Sequence, residues 1–256
     1  TRKGIGRPHY INVIDEDAVK LLIDTVYEPH YRRYKADFGS TFAGFFSDEP
    51  ELGNAAGGKY GHRAVIGTHD LPLPWSRELE QQLMSLWQDD YGIKLVGLWH
   101  DIEGSSLEKS QKSPAARYDY MDLVTKLYQK CFSSQIGNWC RVRSVEYIGH
   151  VIEDGNCHSA TGLGTGHFFR ALWGQDMSGI DVVLQQIRPG LDDTAFYRIG
   201  GNSFYCGQFF HYGLGKLGAS LGHLDPKKQG RTVCEIFGAY GWSEGLKMMK
   251  WLVDHM

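Results

Sequence analysis

The chain predicts an α/β fold of the (β/α)8-barrel type, supplied here as an incomplete portion of the barrel. Three observations predict it: apolar runs of strand length alternate with stretches of helical spacing, acidic residues recur just after the strand-like runs, and 256 residues suit one large domain. The whole chain, 1–256, is read as a single domain, with no repeat of 20–50 residues and no low-complexity tract.

The elements follow in order. Asp15 or Asp17 is placed to cap a first helix in which Val19, Leu22, Ile23, Val26 and Tyr27 recur at helical spacing, ending near Tyr34. The aromatic run Thr41–Phe46 reads as a buried parallel strand that stops at Ser47-Asp48-Glu49-Pro50-Glu51, because proline cannot donate to a ladder. Residues 53–76, rich in Gly, Pro and polar groups, read as a long loop, and loops of that length are often functional. Helical spacing is weak over 77–90 and strong over Tyr120, Leu123, Val124, Leu127, Tyr128, Cys131 and Phe132. A second strand is expected over Val145–Ile152, followed by Glu153 and Asp154, and a third over Gly179–Gln186. A helix carries Phe210, Leu214, Leu217 and Leu221 on one face, Thr232–Phe237 forms a fourth strand around Glu235, and Ser243–His255 closes the chain as a helix. Four strands with crossover helices make about half of an eight-unit barrel. Either the other strands lie outside this sequence, which starts Thr-Arg-Lys-Gly and reads as a segment of a longer protein, or the fold is an open sheet.

Composition narrows the function classes. A formal charge of -3 with dispersed Lys and Arg argues against a nucleic-acid binder, which needs basic patches to displace counterions. No apolar run reaches the ~18–20 residues that cross a bilayer. The five cysteines, at 131, 140, 157, 206 and 234, include no C-x-x-C pair and read as buried thiols. Gly162-Leu163-Gly164-Thr165-Gly166-His167 lacks the lysine of a phosphate loop and reads as a flexible loop beside the site, so no organic cofactor is expected.

The acids carry the chemistry. Strand C-termini form the functional face of a barrel, so Asp48/Glu49/Glu51, Glu153/Asp154 and Glu235 are expected to converge although far apart in sequence. Two carboxyl groups in different protonation states are what glycosidic bond cleavage needs, one to protonate the leaving oxygen and one to attack the sugar or activate water. Glu49, Glu153 and Glu235 are therefore the candidate catalytic residues. Asp48, Glu51, Trp99, His150, Asp154, His158, Asp181, Tyr240 and Trp242 are the expected sugar-contacting set, Trp173 being a further stacking surface. Tyr240 or Trp242 is expected to line the same pocket as Glu235, whose apolar neighbours Val233, Cys234, Ile236 and Phe237 should raise its pKa. His150, His158 and His167 do not have zinc-site spacing. Alternatives are a catalytically silent carbohydrate-binding barrel and a barrel hydrolase of another chemistry.

The segments Gly44–Glu51, Tyr147–Asp154 and Cys234–Trp242, with Trp139-Cys140 and Gly179-Ile180-Asp181, resemble the barrel domain of bacterial glycoside hydrolases, in particular the alpha-L-rhamnosidase-like proteins of glycoside hydrolase family 106. The resemblance implies an inverting, exo-acting hydrolase of a terminal sugar, with glutamates as acid and base and calcium contacting sugar hydroxyls. It also implies β-sandwich domains around the barrel.

Overall fold

The computed structural model describes residues 10–54, 66–68, 71–99, 114–152, 164–191, 197–198 and 204–256. Strands β1 (Gly44–Ser47), β2 (Glu146–Gly149), β3 (Ser178–Val182) and β6 (Thr232–Ile236) form two parallel pairs, β1 with β2 and β3 with β6. β2 and β3 are neighbours without a ladder. The amide of Asp176, just before β3, donates to the Tyr147 carbonyl at 2.7 Å, and Gly179 presses on the Gly149 carbonyl so closely that a Cβ there would lie 1.6 Å from that oxygen. The four strands anticipated from sequence thus run in one direction in the order β1, β2, β3, β6. Among the described residues this is a mixed helix-and-strand fold with two small parallel sheets, and a closed eight-stranded barrel is not seen. A short antiparallel pair, β4 (Tyr197–Arg198) with β5 (Phe204–Tyr205), has no counterpart in the sequence reading.

The strands are shorter than their apolar runs. Phe42 bridges to Phe38 in a tight turn and stacks on its ring at 4.6 Å, so Thr41–Ala43 belong to a turn rather than to β1. β3 ends at Val182 because Leu184 and Gln185 turn into the left-handed region and the Leu184 amide donates to the Gly238 carbonyl.

Helices cover the strands. The first runs over 16–34 as Glu16–Leu22, a wide π turn Ile23–Tyr27, and Glu28–Tyr34. Its cap is Asp15, whose carboxylate accepts from the Ala18 amide at 3.0 Å. Arg77–Trp87 is a full helix capped by Ser76, more regular than its spacing suggested, and buries Leu79, Leu83 and Trp87. Tyr91–Val96 and Phe168–Leu172 are helices that the pattern did not signal. The strongest stripe extends beyond its expected limits, from Pro114 to Arg141 with a π turn at Tyr128–Ser134. Helix 209–224 packs on β3 so tightly that Gly218 lies against Ile180. Gly245–His255 closes the chain.

The core is aromatic as well as aliphatic, with Tyr120, Tyr128, Tyr147 and Phe210 fully buried. A buried hydroxyl must find a partner, and these tyrosines use theirs to pin loops: Tyr120 donates to the Pro74 carbonyl and Tyr128 to the Pro50 carbonyl at 3.0 Å. Cys131 and Cys140 are buried, whereas Cys206 and Cys234 are only partly so, and Cys157 lies outside the described residues. Among the described residues no helix is long and apolar enough to cross a membrane.

Candidate functional site

Parallel pairing puts the C-terminal ends of β1, β2, β3 and β6 on one side. The register sets Ser47 opposite Gly149 and Asp181 opposite Glu235, so the residues that follow β1 and β2 meet those near the ends of β3 and β6. His150 stands at the centre, 1% exposed. Its amide donates to the Ser47 carbonyl at 3.3 Å, and its Nε2 lies 3.2 Å from Glu235 Oε2 and 3.4 Å from Asp48 Oδ1. Ligating atoms of Asp48, His150 and Glu235 all lie within 4.8 Å of one another, and so do those of Glu49, His150 and Asp181.

The acid-bearing turn after β1 is held from three sides. Tyr128 fixes the Pro50 carbonyl, the Glu51 amide donates to the Tyr10 hydroxyl at 3.1 Å, and the Leu52 amide donates to the Gly164 carbonyl at 2.8 Å. Glu49 itself has a φ of +44°, a conformation that side chains other than glycine rarely adopt and that costs on the order of 1 kcal/mol. Such over-determination is what keeps a carboxyl at a chosen angle to its neighbours.

Burial raises the pKa of Glu49, and the negative charges of Asp48, Glu51 and Glu235 push it the same way; the pull of His150 opposes them without prevailing. Glu235 differs. Its side chain is 48% exposed. The apolar residues beside it in sequence do not enclose it, because alternate side chains of a strand point to opposite faces.

No protein-family model, no curated protein and no solved structure matches this chain.

The other expected site residues divide. Glu51 is buried, 4% exposed, beneath the acid-bearing turn. Tyr240 is buried and its hydroxyl is committed to Ile187, donating to the carbonyl at 2.6 Å and accepting from the amide at 3.2 Å. Trp242 stands fully in solvent, and Trp99 is half-exposed beside Gly67. Trp173 precedes β3, at the end of the strands opposite the acids, and its carbonyl accepts from Lys227. Glu153, Asp154 and His158 lie outside the described residues, as do Gly162 and Leu163. His167 caps the helix Phe168–Leu172 through its ring, which accounts for it without a ligand.

Phe46 is the aromatic that sequence reading missed. Its ring is half-exposed and 5.7 Å from the His150 ring, whereas Phe45 packs on Tyr27 and Trp139. Period two was the signal: Phe46 shares its strand face with Asp48, so one phenylalanine of the pair had to point toward the acids.

A calcium ion takes six to eight oxygen ligands. Among the described residues, both groups of three converging donors run through the imidazole nitrogen of His150, and no three carboxylates converge without it. Among the described residues, these groups of two carboxylates and one imidazole fall short of the oxygen coordination calcium takes.

Proposed function

We propose that this chain is the catalytic part of a carbohydrate-cleaving hydrolase that uses Glu49 and Glu235 as an acid–base pair. One observation carries the reading: two glutamates from the ends of different parallel strands meet around one buried histidine, Glu49 half-buried among like charges and Glu235 half-exposed. Half-buried Glu49, among like charges, is suited to hold a proton and deliver it to a leaving glycosidic oxygen. Glu235, half-exposed and beside the His150 ring, is placed to act as the base toward an attacking water. Phe46 offers an apolar platform for a sugar face. The resemblance to alpha-L-rhamnosidase-like proteins supports a terminal sugar of that kind as the first substrate to try, with inversion the expected course.

The test is turnover of aryl glycosides by the full natural protein, alpha-L-rhamnoside first. Glu49→Gln and Glu235→Gln should each lower turnover by ~10²-fold or more with KM little changed, the scale of general acid–base catalysis. Glu153→Gln belongs in the same series. Wild-type rates in both Glu49→Gln and Glu235→Gln would rule the pair out.

A further inference from the structure

His150 belongs to the end of β2, yet its ring meets side chains from both directions. Asp48 follows β1 on one side, and Glu235 projects from β6, beyond β3, on the other. Two carboxylates do not approach each other unaided, because like charges repel and each gains more from water. Asp48 is largely exposed and Glu235 half-exposed, so either is free to turn away. The imidazole has no such freedom: it is buried, its backbone is held to Ser47, and its ring lies against Phe46.

We infer that His150 is the positioning residue of this site, a buried imidazole that holds Asp48 and Glu235 together across β3 and so shapes the pocket in which Glu49 sits. The groups facing it are Asp48 and Glu49 from the turn after β1, Asp181 from β3 and Glu235 from β6. Its role is geometric through Nε2 and electrostatic through the positive charge the ring carries when protonated, and substitution separates the two. Glutamine places an amide N–H near the position of Nε2 without a positive charge; alanine supplies neither.

Only the kinetic part of the test rests on the acid–base reading. In carboxyl-detected NMR titrations, His150→Ala should move the Glu235 and Asp48 carboxyl signals and shift the Glu49 midpoint upward, because the one charge pulling it down is gone. His150→Gln should return the Glu235 and Asp48 signals toward wild type while the Glu49 midpoint stays high. On a competent glycoside, His150→Ala should lower kcat by ~10²-fold with KM within about threefold, the cost of small misplacement of reacting groups, and His150→Gln should recover at least about tenfold. Where His150→Ala loses its cooperative melt, Asp48→Asn takes its place and should move the His150 ring titration downward. Glu49 and Glu235 signals that stay put in both His150 variants, or a His150→Gln no better than His150→Ala, overturn the inference. A wild-type protein that cleaves no glycoside defeats the sugar reading, while the titrations still decide the role of His150.

Discussion

Gly179→Ala is the sharpest perturbation of the framework that assembles the site. A Cβ at this position falls 1.6 Å from the Gly149 oxygen, 2.6 Å from its carbonyl carbon and 3.2 Å from the His150 nitrogen. Ordinary contact lies near ~3.5 Å, so β2 and β3 must part locally by roughly 2 Å. β3 has nowhere to retreat. Its other edge holds a five-residue register with β6, and Ile180 is packed against Gly218 of helix 209–224. Overpacking of this kind costs about 1–3 kcal/mol or more, and Tm should fall by roughly 2–4 °C for each kcal/mol in a chain of this size. Urea and thermal denaturation measure the loss. The same movement should pull Glu235 from His150, weakening the coupling that NMR titration detects. An alanine variant within about 0.5 kcal/mol of wild type, the usual range for neutral changes, would refute the close β2–β3 contact.

Three further outcomes are expected. Gly92→Ala, in the helix Tyr91–Val96 with open space around its Cα, should stabilise the protein by about 0.5–1 kcal/mol in the same denaturation assay. Glu49 holds its proton more tightly folded than unfolded, so its ionisation costs stability as pH rises above the unfolded carboxyl range. Glu49→Gln should therefore melt higher than wild type at neutral pH, and the difference should vanish on acidification below about pH 4, where both states are protonated. Asp225→Asn should cost about 1–3 kcal/mol, because fully buried Lys228 would lose its carboxylate partner at 3.3 Å. The loss is limited because burial already lowers the Lys228 pKa to about 7, so it can shed its proton near neutrality, and its bonds to the Leu172 and Gln175 carbonyls remain. Adding Lys228→Met should cost less than the two separate losses summed.

Much of the framework was legible because it depends on periodicity and on chain punctuation. The Asp15 cap, the stripe through Tyr120–Phe132 and the strands bearing Ser47 and Glu235 follow from local signals. Convergence of Asp48 and Glu49 with Glu235 was legible too, since parallel strands deliver their C-termini to one side, whereas the place of His150 at their centre was not. What escaped depends on tertiary choices. Tyr240 has the sequence setting of a pocket wall, but its hydroxyl meets Ile187, 53 positions away in the chain, and only packing decides that. Thr41 and Phe42 have strand-forming side chains, yet Phe42 finds a better surface on Phe38 than a ladder partner. The helix Phe168–Leu172 spans 5 residues, too few for any helical period to be visible.

The most direct measurement of the central claim is the pH dependence of kcat/KM for wild type, Glu49→Gln and Glu235→Gln on one competent glycoside. Glu49 as general acid and Glu235 as general base predict a bell-shaped wild-type profile, loss of its alkaline limb in Glu49→Gln, and loss of its acidic limb in Glu235→Gln. Profiles of unchanged shape in both variants would contradict it.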